Sequence, residues 1–386
     1  MTPQPRYKDT GEHSFWGSYI YEKRVPQDHF LRALKELFDW QALGRELITL
    51  YAGRGVRGRP PYDPVIVFKM LFLSFLYGCS ERDVERWVND SISAHYFLDL
   101  ALDQPAPDHS LLTKFKNRLM KDNGAEKWLQ DIFDGFLDQA RDHGLSFGKI
   151  QLVDSVHTQA DVNGEKEAAR QEKGVSPRDP EARVVDKGTR VVTDADGTRK
   201  RKRIRHKGYK THTSMDAKTR LVTSLVPDYG NSADNKAFAA LFAHDRSLNL
   251  PTDTYGGDKA YDDTAIFEVI EQAGMHVGIK LRRFRTSKKD PNKERWIEIK
   301  ESARYRVATK IRGRVEQPYG QAKTTCGFER CRYLGLMRYR IQSYLTFMVV
   351  NSKRIVKLLC GITFRKLAKG RRREVFQPVY DTLPWA

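Results

Sequence analysis

Cysteine, long apolar stretches and acid are what this sequence is short of. Its 386 residues hold four cysteines, Cys79, Cys326, Cys331 and Cys360. So few and so scattered, they exclude a disulfide framework, and Cys326 and Cys331 have no second Cys or His pair nearby to complete a zinc site. No apolar run approaches the roughly 20 residues that a membrane-spanning helix needs, and no lipidation signal or amphipathic anchor stands in for one. The opening MTPQPRYKDTGEHSFWGSY lacks the apolar core and cleavage site of a secretory signal, so a cytoplasmic location is expected. Acid is outnumbered: 49 Asp and Glu stand against 68 Lys and Arg, a net charge of +19 with a pI of about 9.7. That surplus points to a polyanionic partner, and nucleic acid is the leading candidate.

What is present suggests two kinds of architecture. From about Asp28 to His143 apolar residues recur at helical spacing, so residues 1–145 are expected to be an all-helical, DNA-binding domain. RGRPPYDP (Arg57 to Pro64) reads as an extended connector leading into the core helix VIVFKMLFLSFLYG. Ser80 and Asp108 read as N-caps, the second opening a basic helix with Lys114, Lys116 and Arg118 as DNA contacts. Arg57 and Arg59 spell the centre of an AT-hook that would enter a narrow minor groove, although a rigid connector accounts for the same residues.

At Lys149 the pattern changes to short β-type runs, IQLVDSV, GYKTHTSMD and RLVTSLVPD, and then alternates: helix, TDTYGGDKAY, helix, HVGIKLR. This predicts a mixed α/β sheet of five strands flanked by helices over 146–365. Residues 165–205, charged and poor in large apolar side chains, read as a mobile or DNA-ordered insertion. His206, Lys207 and Lys210 flank the second strand and are candidate DNA contacts. Residues 282–314 form a basic segment suited to tracking phosphates, and 366–386 a basic tail.

Three acids stand out. Asp154 lies inside a strand among apolar neighbours, where an ionised carboxylate is costly unless it binds something. Asp258 follows a strand ending in two glycines that would let the backbone approach a ligand. Glu316 lies in IRGRVEQPYGQAK, where at 100° per residue Arg312, Glu316 and Lys323 share one helical face, with a kink expected at Pro318. Competing acids exist: Asp161 for the first, Asp262 or Asp263 for the second, Glu298 or Glu301 for the third. Phosphodiester cleavage by two divalent ions about 3.5–4 Å apart needs carboxylates of this kind, since Mg²⁺ prefers oxygen ligands.

VPQDHF, GRPPYDP, the SERDVER run, PDHSLLTKFKNRL, VDSVHTQADVN, HKGYKTH, GGDKAYDD, RVEQPYGQAK and YLGLMRYRIQSYLTFMVVNSKR carry a resemblance over nearly the whole chain. It resembles bacterial insertion-sequence transposases of the DDE type, in the insertion sequence five group. The resemblance implies a ribonuclease H-like catalytic fold with Asp154, Asp258 and Glu316 as catalytic and metal-binding residues. It also implies two Mg²⁺ ions, for which Mn²⁺ could substitute. Implied partners are terminal inverted repeats, target DNA and a second copy in a homodimeric synapse, in a bacterial, nucleoid-associated setting. The related Tyr-Arg-Glu-Lys signature is matched by Arg312, Glu316 and Lys323, with Thr309 where Tyr is usual. Two other readings share the features: a metal-dependent nuclease that does not join strands, and a catalytically silent DNA-binding protein.

Overall fold

The computed structural model describes residues 7–8, 15–49, 51, 60–120, 125–193, 197–287 and 289–365. Arg57, Arg59 and the basic tail at 366–386 lie outside the described residues.

Among these residues nine helices precede the sheet: α1 (Phe15–Arg24), α2 (Phe30–Leu37), α3 (Trp40–Leu43), α4 (Arg45–Thr49), α5 (Pro64–Leu76), α6 (Glu81–Asp90), α7 (Ile92–Leu98), α8 (His109–Leu119) and α9 (Ala125–Asp142). The two expected caps, Ser80 and Asp108, are in place, and α5 has a third. Asp63 accepts from the Val65 amide at 2.8 Å, and Pro64 opens α5 where its missing N–H goes unused. Ser80 caps α6 and Asp108 caps α8 in the same way. All 13 residues of α5 are buried, which explains why its sequence is apolar on every side rather than in one stripe.

The rest of the chain runs β1 (Ile150–Gln159), α10 (Gly164–Glu172), β2 (Arg183–Thr193), β3 (Arg199–Asp216), β4 (Val222–Tyr229), α11 (Asp234–Ser247), β5 (Thr254–Gly257), α12 (Thr264–Gln272), β6 (His276–Ile279), α13 (Lys293–Glu301), α14 (Ala303–Ile311), α15 (Glu316–Cys326) and α16 (Leu336–Cys360). Across the sheet the order is β4-β3-β1-β5-β6, with β3 antiparallel to both neighbours and β1, β5 and β6 parallel. The sheet has six strands rather than the expected five. The sixth, β2, pairs antiparallel with the outer half of β3 and comes from the 165–205 insertion, which is a helix and a hairpin. The expectation of a mobile or DNA-ordered insertion rests on its low apolar content, and a ladder satisfies backbone groups without needing apolar side chains.

Side chains alternate across the sheet. Leu152 and Val156 of β1 join the larger core, which continues through α16 into α2, α5, α7, α8 and α9. Val153 joins a smaller core against α11, α12, α13 and α14. Among the described residues no single helix is long and apolar enough to cross a membrane.

Candidate active site

Strand register places two of the acids side by side. Val153 of β1 pairs with Gly257 of β5, so Asp154 and Asp258 follow on neighbouring parallel chains whose backbones are about 5 Å apart. An oxygen of Asp154 accepts from the Ser155 amide at 2.8 Å. Asp258 caps the 3-10 turn Lys259–Tyr261, accepting from the Ala260 amide at 2.8 Å, which holds its carboxylate at the strand end. Both are half-buried. Burial pushes the Asp154 carboxyl up to about 6; the Ser155 amide and Arg312 pull it down, while Asp258 and Asp234 push it further up.

Glu316 arrives on a broken helix that crosses Asp154's face of the sheet. At one end α14 seats Ala308 on two glycines: a Cβ on Gly278 would lie 2.5 Å, and one on Gly256 3.3 Å, from the Ala308 Cβ. Gly256 of β5 and Gly278 of β6 therefore serve close helix packing, whereas a Cβ on Gly257 would meet Val153 and Tyr261. At the other end the Tyr319 hydroxyl bonds Thr213 Oγ1 at 2.6 Å, and Thr213 is the β3 partner of Asp154. Residues 312–316 pass between these anchors, against β1.

Arg312–Val315 form a 3-10 turn before α15 begins. The cause is Pro318, whose ring would clash with the Arg314 carbonyl in a continuous α-helix; the expected irregularity falls one turn ahead of the proline. Over four residues a 3-10 turn rotates Arg312 from Glu316 by about 120° instead of about 40°, so the single face expected for Arg312, Glu316 and Lys323 does not extend across this turn. Arg312 still acts on Asp154. Glu316 and Lys323 are exposed on α15.

Among the described residues, the His, Cys, Asp and Glu side chains with ligand atoms within 4.8 Å of one another are Glu85, Asp108 and His109. Asp154, Asp258 and Glu316 are not drawn that close. The Glu85 group is structural: His109 Nδ1 sits 2.6 Å from Glu85 Oε2, tying α8 to α6, and Asp108 is the cap of α8.

Several residues near the acids were not singled out from sequence. Tyr261 is fully buried, its hydroxyl has no hydrogen-bond partner among the described residues, and burial followed by Asp234, Tyr319, Asp154 and Asp258 pushes its phenol far up. Tyr319 is likewise raised by burial and then by Asp154. Asp234, at the start of α11, receives Lys210 at 3.2 Å and His212 at 3.3 Å and is held well below the usual carboxylate range, its partners outweighing burial. The only sequence signal for Tyr261 was its place in GGDKAYDD. Asp234 gave none, because its partners lie on a different element.

The expected DNA contacts divide. Lys114 is exposed and His206 is half-buried, 3.2 Å from Gln159. Lys116 is buried, paired with Glu81 and stacked 4.0 Å from the Tyr333 ring; Lys210 is buried, donating to the Ser232 carbonyl at 2.7 Å. Both are corrected from surface cations to internal ties. Lys207 pairs with Glu167 at 2.7 Å, and Arg118 covers the Tyr51 ring. Parts of the 282–314 segment are similarly occupied, with Arg285 on Asp262, Arg295 on Glu271 and Arg304 on Asp253. Asp262 is thus an ion-pair anchor, and Asp263 caps α12.

The family model for the Transposase DDE domain matches residues 150–352, and that for Transposase domain (DUF772) matches residues 19–118. The chain belongs to the DDE transposase family. It is a DNA transposase, an enzyme that acts on DNA with a divalent metal. Solved structures to which it is similar include a piggyBac transposase synaptic complex with hairpin DNA (11% identity, 94% of this chain and 80% of that one, TM-score 0.39). Another is the Mos1 transposase paired-end complex with left transposon end (11% identity, 78% and 94% coverage, TM-score 0.19).

Proposed function

We propose that the chain is an insertion-sequence transposase of the insertion sequence five group, with a ribonuclease H-like catalytic unit at 146–365. In this reading it binds terminal inverted repeats as a homodimer in the bacterial nucleoid, the helices before about 145 contributing to recognition. Hydrolysis at the element ends would be followed by transfer of the exposed 3′-OH to target DNA. The observation that carries the reading is the Val153–Gly257 register, which sets Asp154 beside Asp258 on two neighbouring central strands. The strand order β4-β3-β1-β5-β6 agrees with it.

The donor set fits divalent cations. Asp154 is raised by burial and by Asp258 and Asp234, and the Tyr261 hydroxyl, which feels the same acids, has no hydrogen-bond partner among the described residues. Asp154, Asp258 and Glu316 would hold two Mg²⁺ ions, with Mn²⁺ as a substitute, Glu316 closing inward from the first turn of α15. When bound, the ions would activate the attacking oxygen and neutralise charge at phosphorus. Arg312 would hold the scissile backbone and oppose the charge of Asp154, and Lys323 would take a phosphate further along α15. Asp258 is kept in place by the Ala260 amide, so little reorganisation is needed there.

The test uses folded Asp258→Asn protein, labelled element-end duplex and pre-cut ends with a target plasmid, in Mg²⁺. Loss of both nicking and joining by about 1,000-fold or more is expected for a residue acting as part of a unit. Nicking at the wild-type rate would remove Asp258 from the site, and wild-type nicking without joined product would make the protein a nuclease.

A further inference from the structure

β3 is far longer than its partner β1. Gln159 near the end of β1 meets Gly208, and residues 199–207 continue beyond it, paired with β2 from Val184 to Thr193. At about 3.4 Å per residue this two-stranded ribbon extends about 30 Å past β1. It leaves the sheet past the C-terminal end of β1, in the direction in which parallel β5 also runs before stopping at Gly257, and it begins five residues, about 17 Å, beyond Asp154. Its base is fixed. Tyr209 donates to Asp179 at 2.8 Å, Lys207 pairs with Glu167, and a Cβ on Gly208 would lie 2.1 Å from the Thr158 carbonyl oxygen, so nothing larger than glycine lets the ribbon pass β1.

Alternation puts Arg199, Arg201, Arg203 and Arg205 on one face of the ribbon, repeating about every 7 Å. Directly opposed residues share a face, and the opposing positions are Thr193, Val191, Thr189 and Asp186. All four arginines are exposed, and Val191 is 55% exposed. Asp186 is the one acid across from them, 4.0 Å from Arg203. Like charges in a row repel one another, and a lone two-stranded ribbon is only marginally stable in water. Both costs are offset by a polyanion lying along the arginine face.

We propose that the β2–β3 ribbon is a DNA-gripping arm that lies in the major groove beside the cleavage site and places its four arginines on phosphates. The major groove, about 12 Å wide, admits a two-stranded ribbon, and guanidinium forks suit phosphate oxygens. The proposal rests on the transposase reading and adds where the duplex runs: outward from Asp154 and Asp258 along the arm.

The full chain carrying Arg199→Gln, Arg201→Gln, Arg203→Gln and Arg205→Gln is compared with wild type and with the four-lysine counterpart. Binding to a 40-base-pair duplex is followed by fluorescence anisotropy in EDTA over a salt series. With about 0.9 of slope per phosphate contact, the glutamine variant's plot of log affinity against log salt is expected to flatten by about 2–4, with at least tenfold weaker binding near 0.2 M salt. The lysine variant keeps most of the slope, which a merely structural defect would not explain. An unchanged slope in a glutamine variant whose circular dichroism matches wild type overturns the arm. A changed sedimentation coefficient without DNA, together with an unchanged slope, overturns it in favour of a contact with a second copy. Wild-type protein that nicks element ends while the slopes agree sinks the arm alone; wild type that binds no duplex sinks the transposase reading itself.

Discussion

In the proposed site Asp154 carries a cost before any cation is bound. Its carboxyl rises from 3.8 to about 6, chiefly through burial. A carboxyl whose folded-state value is raised favours the fold while protonated: that contribution is complete below about pH 4 and is lost as the pH climbs through 6. Two units correspond to about 3 kcal/mol, an upper figure that residual solvent contact reduces. In EDTA, Asp154→Asn is therefore expected to match wild type at pH 4 and to exceed it by roughly 1–3 kcal/mol at pH 7.5. Thermal melts across that range should show the gap opening between pH 4 and 6. A gap of constant size would mean that the ionised form is not penalised. The environments of Lys116 and Lys210 show why single cations were harder to read than this acid. Their partners, Glu81 and Asp234, are 35 and 24 residues away in sequence, so the two looked like free surface charge until the chain folded. Asp154 was legible because a charge inside an apolar strand is anomalous without any knowledge of its partners.

The rod formed by α14, the 3-10 turn and α15 positions Arg312 and Glu316, and it is seated by glycine. A methyl group on Gly278 would lie 2.5 Å from the Ala308 Cβ and 3.0 Å from the Tyr255 carbonyl oxygen. Gly278→Ala should therefore lift α14, cost about 1–3 kcal/mol in urea melts and slow end nicking by displacing Arg312 and Glu316. Adding Ala308→Gly removes the worse of the two contacts. The double variant should recover activity beyond what the single effects sum to, even though glycine within a helix costs about 1 kcal/mol by itself. Strict additivity would place the site's dependence elsewhere. Helices and strands were largely readable from periodicity and caps, as α5, α6 and α8 illustrate. Less readable were features set between elements. A strand glycine such as Gly256 looks the same whether it admits a ligand or a helix, and the 3-10 turn depends on a proline reaching back to Arg314. The ribbon was missed because its order comes from backbone pairing, which leaves little mark on hydrophobic patterning.

α16 joins the two halves of the molecule into one core. Sixteen of its 25 residues are buried, more than a single apolar stripe requires, because the sheet covers one side and the N-terminal helices the other. Phe347 packs against Tyr319 and Phe328 on the sheet side, while Tyr344 meets Phe133 of α9 with ring centroids 6.1 Å apart. Arg332, just ahead of α16, donates to the Cys79 carbonyl at 3.1 Å and covers the Phe75 ring. Removing residues 1–145 would expose an apolar face along a helix about 37 Å long at 1.5 Å per residue. A catalytic fragment spanning 146–365 is therefore expected to be a compact but loosely packed state that binds a hydrophobic dye, lacks a cooperative thermal transition and shows poor amide dispersion in NMR spectra. Co-expression with 1–145 as a separate chain should restore a cooperative melt, since the missing contacts are side-chain packing rather than chain continuity. If 146–365 alone melts cooperatively with dispersed resonances, the shared core is dispensable. The proposed end recognition and strand chemistry would then belong to units that fold apart, rather than to one body in which the N-terminal helices also brace the sheet.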